Sequence, residues 1–350
     1  MMKKIRVLIV DDSMLFRKVL IDSLSQNPNI EVIGYAIDAF DAERKIPALK
    51  PDVVTVDVEM PRLNGIDFVK KLLPQYPVPV ILVSSLNLNV FEALSAGAVD
   101  FVRKPDMSKS YSVNTFLTTL NSKIFIASRA KIKVPNAAAP AAPKIPAKPL
   151  GNGRAFSLNA DNTVIAIGAS TGGTEATLQV LKCLPADTPG IVVTQHMPEG
   201  FTKMYADRLN RLCQMRVKEA QNGDAIEKGL VLIAPGDLQM RVVRVGSHYT
   251  VSCTSGEKVS GHRPSVDVLF HSVAEAAGAS SVGIIMTGMG RDGADGLLSM
   301  RKKGAYTIGQ DAESCVVYGM PMVAYNIGAV AIQSSCANIS HVLLKHLYSL

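Results

Sequence analysis

Cysteine is scarce in this chain and follows no pattern that would bind a metal or build a disulfide framework. The five cysteines are widely spaced, odd in number and include no C-x-x-C pair. Paired cysteines at fixed spacing mark structural zinc sites and small disulfide-stapled domains. The sequence therefore argues against both classes and indicates a reducing compartment.

Long apolar runs are also missing. No apolar segment reaches the roughly 20 residues that a membrane-spanning helix needs. The chain begins MMKK, but only a short apolar strand follows before Asp11, so we expect no signal peptide. These absences predict a cytoplasmic protein without membrane insertion.

Most of the excess of basic charge lies in one segment. The formal net charge is +7, yet residues 1–130 hold 16 Lys and Arg against 14 Asp and Glu, and residues 161–350 hold 16 of each. Residues 131–160 hold 5 Lys and Arg and no acidic residue, and no aromatic residue lies between the lysines. Because a single-stranded nucleic-acid platform needs aromatic side chains for stacking, this charge predicts a solvated tether and no nucleic-acid partner.

The length and composition indicate two domains joined by a tether. With 350 residues, of which 47% are apolar, the chain can build two complete cores. Five prolines, several alanines and two glycines lie within residues 131–160, a composition typical of an extended linker. We predict a first domain over residues 1–128, a linker over 129–160 and a second domain over 161–350.

Apolar runs alternate with amphipathic stretches in the first domain, which predicts a doubly wound parallel sheet of five strands. Ligands of such sheets bind at the carboxyl ends of the strands. Polar residues occupy these ends: Asp11 and Asp12 after the first strand, Asp57 on the third, Ser84 on the fourth and Lys104 after the fifth.

Three carboxylates at one edge of a sheet repel one another, and a hard cation such as Mg²⁺ usually neutralises them. A single loop aspartate is commonly only solvated, but the joint placement favours a site. We expect Asp11, Asp12 and Asp57 to bind Mg²⁺. Asp57 would accept a phosphoryl group, with Lys104 offsetting charge on the transferred oxygens.

These residues resemble the receiver domain of bacterial two-component response regulators over roughly residues 3–125. The resemblance implies that a histidine kinase phosphorylates Asp57 with the help of Mg²⁺. It also implies a switch in which Ser84 turns toward the phosphoryl group. The aromatic partner in that switch is Phe101, where the family often has Tyr.

The α/β alternation resumes in the second domain and predicts a mostly parallel sheet with a β-hairpin. The predicted strands are Thr163–Ile167, Ile191–Thr194, Leu230–Ile233, Met240–Val245 with Tyr249–Cys253, Val282–Met286, Ala305–Gly309 and Ala329–Ile332.

The motif Gly168–Gly173 (GASTGG) follows the first of these strands and precedes a helical stretch. Its glycines allow a sharp turn, and the start of the helix favours negative charge there. The motif suits either a phosphate cradle or a serine nucleophile at Ser170. A dinucleotide site is disfavoured, because the middle glycine of G-x-G-x-x-G is missing and His196, not an acid, follows the next strand.

Ser170, His196 and Asp292 each follow a strand of the predicted sheet, the last within the glycine-rich loop Thr287–Gly293. A lone histidine or turn aspartate is usually structural. At three strand ends of one sheet, however, serine, histidine and aspartate form a nucleophile, base and orienting acid. We expect Asp292 to orient His196 by accepting a hydrogen bond from its Nδ1.

Four motifs carry a second resemblance: Gly168–Gly173, Gln195–Pro198, Gly261–Asp267 and Thr287–Gly293. They resemble the catalytic domain of chemotaxis protein-glutamate methylesterases, a family that joins a receiver to an esterase domain in this order. The resemblance implies that Ser170 is the nucleophile, His196 the general base and acid, and Asp292 the orienting acid. It further implies an oxyanion donor at the Met289 N–H, with Thr171 in support.

The resemblance also implies the reaction and its partners. Glutamate γ-methyl esters on chemoreceptors would be hydrolysed with release of methanol, and specific receptor glutamines would be deamidated, without a cofactor for the esterase chemistry. A chemotaxis histidine kinase would supply the phosphoryl group, and the enzyme would associate with membrane receptor arrays from the cytoplasm. The tether between the domains suggests that the unphosphorylated receiver covers the triad until Asp57 is phosphorylated.

Two other classes stay open. A transcription regulator would need a DNA-binding second domain, but residues 161–350 are charge-balanced and show no obvious helix-turn-helix. A nicotinamide- or phosphate-binding enzyme is the other alternative.

Overall fold

The computed structural model describes residues 3–84, 90–106, 110–132, 156–157 and 162–350. The chain splits into two compact units, Met1–Ala142 and Pro143–Leu350, each with its own sheet and core. Most of the predicted linker lies outside the described residues, so its bounds stay a prediction.

The first unit is a five-stranded parallel sheet in the order β2-β1-β3-β4-β5. Its elements are β1 (Ile5–Val10), α1 (Met14–Leu24), β2 (Ile30–Ala36), α2 (Ala39–Leu49), β3 (Val53–Asp57), α3 (Gly65–Leu72), β4 (Val80–Ser84), α4 (Val90–Ser95), β5 (Asp100–Arg103) and α5 (Ser110–Ala127). Strands β3 and β4 are buried along their whole length, as expected for a sheet with helices on both faces. The predicted fold of this half is confirmed.

Polar caps start the first three helices of this unit. The side chains of Ser13, Asp38 and Asn64 each accept a hydrogen bond from a backbone N–H three residues further on. Such caps satisfy N–H groups that the first helical turn cannot pair. Because β1 lies beside β3 in the sheet, the carboxylates that follow or end these two strands meet at one edge.

The second unit contains a seven-stranded sheet in the order β14-β13-β12-β6-β7-β9-β8, parallel throughout, and a separate antiparallel hairpin, β10-β11. Its elements are β6 (Val164–Ala169), α6 (Gly173–Leu181), β7 (Ile191–Gln195), α7 (Phe201–Leu212), β8 (Arg216–Glu219), β9 (Leu230–Ile233), β10 (Gln239–Val245), β11 (His248–Thr254), α8 (Val266–Ala276), β12 (Ser281–Ile285), α9 (Ala294–Lys302), β13 (Tyr306–Gln310), α10 (Met320–Asn326), β14 (Ile332–Ser334) and α11 (Cys336–Leu347). The predicted mostly parallel sheet with a hairpin is confirmed.

The order in which successive strands are added to the sheet reverses at β6. Strands β7, β8 and β9, which follow β6 along the chain, lie on one side of it, whereas β12, β13 and β14 lie on the other. Helix α8 packs closely over this point, since a Cβ at Gly168 would come within 2.1 Å of Val266. Crevices at such switch points are where doubly wound sheets bind ligands.

Two strand predictions in this unit were wrong. Strand β8 was missed because its sequence, R-V-K-E, has one apolar residue in four, and only Val217 is buried on this edge strand. The predicted strand Ala329–Ile332 is displaced, since the last strand is Ile332–Ser334. Ala329 and Val330 lie in the preceding loop. They are buried there like strand residues but are not part of the strand Ile332–Ser334.

Phe156, which the sequence analysis assigns to the linker, packs on the second unit. It is 6% exposed and its ring stacks on Tyr348 at 4.7 Å between centroids. Among the described residues, no helix is both long and apolar enough to cross a bilayer.

Candidate active site

Ser170 occupies a tight turn between β6 and α6. Its N–H donates to the Thr287 carbonyl at 3.0 Å, which ties the turn to the loop after β12. Gly172 has φ of +77° and lies so close to Val316 that a Cβ there would come within 2.6 Å of that side chain. A Cβ at Gly288 would likewise lie 2.6 Å from the Ser170 Cβ. A side chain at either position would collide with its neighbour, so glycine is needed at both for the backbone to pack this closely at the turn.

The three residues predicted to converge lie together. The Nδ1 atom of His196 is 3.1 Å from Ser170 Oγ, and its Nε2 atom is 2.7 Å from Asp292 Oδ2. The prediction that Nδ1 faces Asp292 was wrong. The ring is oriented so that Nε2 faces Asp292 and Nδ1 faces Ser170. In the tautomer that carries its proton on Nε2, the ring donates a hydrogen bond to the Asp292 carboxylate and presents the Nδ1 lone pair to the serine hydroxyl.

Asp292 is buried and surrounded by donors. Its Oδ1 accepts from Ser265 Oγ at 2.7 Å and from the Asp267 N–H at 3.1 Å, and its Oδ2 accepts from the Val266 N–H at 2.8 Å. Ser265 is the N-cap of α8, so the carboxylate also lies at the positive end of that helix.

Burial alone would raise the pKa of Asp292. The hydrogen bonds and charge of His196, together with those from Ser265 and Val266, outweigh it and lower the pKa to about 2. The Asp292 carboxylate is thus ionised throughout the range in which a histidine base works.

His262 covers one face of the His196 ring. The two imidazoles are stacked, with centroids 3.6 Å apart and planes inclined by 8°. The carbonyl of His262 accepts a hydrogen bond from Gln239, whose side-chain oxygen also accepts from the Ser265 N–H at 2.9 Å. Sequence reasoning identified the motif containing His262 and Ser265 but assigned neither residue a place at the site.

The loop after β12 supports the serine turn from the other side. The Thr287 N–H donates to Gln310 Oε1 at 2.9 Å, and its hydroxyl donates to the Thr171 carbonyl at 3.0 Å. Met289 follows Gly288, the residue in close approach to Ser170. Within the described ranges, no group accepts a hydrogen bond from the Met289 N–H.

The acidic residues of the first unit also converge. Asp11, Asp12 and Asp57 each place a carboxylate oxygen within 4.8 Å of the others. Lys104 Nζ lies 2.6 Å from Asp57 Oδ2 and 3.8 Å from Asp11 Oδ2. Burial and the neighbouring charge of Asp57 raise the pKa of Asp11 to about 7, and burial also raises the pKa of Asp57.

The carboxylate set matches a hard divalent cation. Asp11 Oδ2 is buried and has no hydrogen-bond partner among the described groups, which leaves a ligand atom facing its acidic neighbours. Oxygen-only ligands of this kind suit Mg²⁺. Asp12 is exposed, so the site is open to solvent on that side.

Ser84 ends β4 and is fully buried, and the residues after it, 85–89, lie outside the described ranges. Phe101 on β5 is also buried and makes an edge contact with Phe91 at 6.3 Å between centroids. Lys123 Nζ lies 5.6 Å from the Phe101 ring centre. The ring of Phe101 is therefore packed inside the unit.

The second unit has the fold and polar constellation of a hydrolase, and the first has the fold and acidic cluster of a receiver, so the chain is a receiver-linked hydrolase. Residues 165–343 match the CheB methylesterase family, and residues 7–111 match the response regulator receiver domain. The protein-glutamate methylesterase/protein-glutamine glutaminase 2 of Syntrophomonas wolfei is 54% identical over 98% of both chains. The corresponding protein of Sulfurimonas denitrificans is 49% identical over 96% of both.

One solved structure supports the assignment of the second unit. The CheB methylesterase catalytic domain of Thermotoga maritima is 34% identical, with a TM-score of 0.52, and the match covers 53% of this chain and 98% of that one. The chain belongs to the protein-glutamate methylesterase/protein-glutamine glutaminase family and is an ester hydrolase with a receiver domain.

Proposed function

We propose that this enzyme removes methyl groups from glutamate γ-methyl esters on chemoreceptors, with Ser170, His196 and Asp292 as its catalytic triad. The observation that carries this proposal is the unbroken chain of hydrogen bonds from Ser170 Oγ through the His196 ring to an ionised, buried Asp292. Such a chain activates a hydroxyl that is otherwise a weak nucleophile at neutral pH.

The reaction is acyl transfer in two steps. Ser170 Oγ attacks the ester carbonyl carbon while His196 Nδ1 takes the hydroxyl proton. The oxyanion that forms is stabilised by the Met289 N–H. His196 returns the proton to the departing methoxide, so that methanol leaves and the glutamyl group remains on Ser170. Water, deprotonated by His196, then attacks the acyl-enzyme and restores a glutamate and the free serine.

The same groups serve to deamidate receptor glutamines. Attack on the carboxamide forms the same acyl-enzyme, and ammonia leaves in place of methanol. Without a proton the nitrogen would have to leave as an amide anion, a far poorer leaving group than methoxide, so this activity depends more strongly on proton donation by His196.

Replacing Ser170 with Ala tests the assignment. Because triad members act as a unit, S170A should lower methanol release from methylated chemoreceptor membranes by about 10⁴-fold or more. S299A changes a serine on α9 that bonds only to its own helix and should leave the rate unchanged. Methanol release by S170A at the rate of S299A would disprove the role of Ser170.

The receiver supplies control in this proposal. A chemotaxis histidine kinase phosphorylates Asp57, and phosphorylation raises esterase activity, with Ser84, Phe101 and Lys104 carrying the switch. Asp11, Asp12 and Asp57 would hold Mg²⁺, whose charge offsets that of the phosphoryl oxygens. The enzyme then acts in the cytoplasm at membrane receptor arrays, where its substrate is located.

A further inference from the structure

Gln195, the last residue of β7, lies between the two reacting residues of the triad. It pairs with Ala169 in the sheet, so it stands beside the residue that precedes Ser170 and directly before His196 in the chain. Its side chain is 3% exposed. It takes no part in the proton transfers between Ser170 and His196.

The carboxamide of Gln195 is turned toward the backbone of both neighbours. Its Nε2 donates to the Ser170 carbonyl at 2.8 Å and lies 3.4 Å from the His196 carbonyl. Two carbonyl oxygens on one side require the NH₂ group there, since a carbonyl cannot donate. The orientation of the amide is therefore fixed by its surroundings.

The other half of the carboxamide makes no such contact. Its Oε1 is buried without a hydrogen-bond partner in the described part of the chain. A Cβ at Gly173 would come within 2.3 Å of it, so the glycine at the start of α6 leaves room for this oxygen. A buried acceptor without a donor costs stability. Stability alone thus gives no reason for an amide at this position.

The effect of the Nε2 contact is on the peptide plane after the nucleophile. In a trans peptide the carbonyl of Ser170 and the N–H of Thr171 point in opposite directions. Together with the Gly173 N–H, which bonds to the same oxygen, the Gln195 amide restricts the rotation of the peptide that links Ser170 to Thr171. The direction of the serine hydroxyl toward His196 depends on that rotation.

We propose that Gln195 is a positioning residue, which locks the Ser170–Thr171 peptide so that the Ser170 hydroxyl faces His196. The proposal rests on Ser170 being the nucleophile. Ser170 would still have one donor without Gln195, because the Gly173 N–H bonds to the same carbonyl at 2.7 Å. Without the Gln195 amide the Ser170 carbonyl would keep a hydrogen bond, but the Ser170 hydroxyl would be less well aligned with His196.

The test replaces Gln195 with Met, which keeps length and volume but cannot donate. We expect the unfolding temperature to stay within about 2 °C of the wild type, because an apolar group of similar shape replaces a half-satisfied amide. The kcat for methanol release should fall by about 10- to 100-fold with KM unchanged within about twofold, since misalignment affects the reaction step. Labelling by a fluorophosphonate, which reacts with a serine activated by its histidine and needs no receptor substrate, should slow by a similar factor.

S272A is the matched control. The Ser272 hydroxyl is buried and accepts from the Val242 N–H, between α8 and the hairpin. Its loss should lower the unfolding temperature and leave kcat and the labelling rate unchanged. Q195E, equal in shape but without the NH₂ group, serves as a second variant and should behave like Q195M in the labelling assay.

Each other outcome is decisive. Wild-type kcat and labelling rate in Q195M would overturn the positioning role, as would a rise in KM with kcat unchanged. If both variants are unfolded at the assay temperature while S272A is folded, Gln195 is a core contact only and the proposal is wrong. Labelling of S170A as fast as the wild type would instead disprove the proposed nucleophile, and the role of Gln195 with it.

Discussion

At the scale of single residues, we expect Asp292 to contribute both to the proposed catalysis and to the stability of the fold. The hydrogen bonds to its carboxylate lower the pKa of Asp292 to about 2, from an ordinary aspartate value of about 3.9. A carboxyl with a lowered pKa in the folded state adds stability above its unfolded pKa and loses it as the pH falls through the folded value. The difference between the two values corresponds to about 2 kcal/mol, present at neutral pH and lost progressively between about pH 4 and pH 2.

The substitution D292N distinguishes the contribution of Asp292 to catalysis from its contribution to stability. It should lower kcat by about 10⁴-fold, because Asn does not hold the ring of His196 in the required tautomer. The unfolding temperature should fall at pH 7, and the gap from the wild type should narrow as the pH is lowered from 4 to 2. Circular dichroism at several pH values measures this gap. Asp295, exposed and paired with Arg291, provides the control D295N, and a gap for D292N that is independent of pH would contradict the assignment.

At the scale of elements, the sequence was most informative where strands are apolar on both faces. Strands such as β3, β4 and β6 are runs rich in β-branched residues, and the polar residues that end or follow them could be assigned to one edge. The edge strand β8 has no such run, so the pattern of apolar residues did not reveal it. The loop at Ala329 is as apolar as a strand, so the same pattern predicted a strand where there is a loop. The exchanged nitrogens of His196 and the stacking of His262 depend on side-chain rotation and long-range packing, which residue spacing does not encode.

The carboxylates that follow or end β1 and β3 give a prediction at the same scale. Mg²⁺ should raise the unfolding temperature of the full chain, by an amount equivalent to about 1.4 kcal/mol at tenfold excess over its Kd. D12N removes one ligand without disturbing a buried contact, since Asp12 is exposed, and should abolish most of this shift. D22N changes an exposed acid on α1 and should retain it. Differential scanning calorimetry with and without Mg²⁺ decides, and an equal shift in D12N and D22N would exclude Asp12 as a ligand.

At the scale of the whole molecule, two compact units are joined by a segment rich in proline and alanine. A fragment of the second unit must begin before Phe156, because that ring is stacked on Tyr348. The predicted bound at residue 161 would remove this contact. Exposing the Tyr348 ring would lower the stability of the fragment for a reason unrelated to control by the receiver.

Control by phosphorylation is therefore best tested with a fragment of residues 154–350 beside the full chain. A small phosphodonor should raise methanol release by the full chain by about 5- to 150-fold, the range of an ordinary coupling free energy. D57N should not respond, because it lacks the acceptor carboxylate, whereas D22N should respond like the wild type. The fragment should be active without the donor and unaffected by it. Equal rates for the fragment and the unphosphorylated full chain would show that the receiver imposes no restraint, and activation would then require a direct effect of the phosphoryl group on the hydrolase.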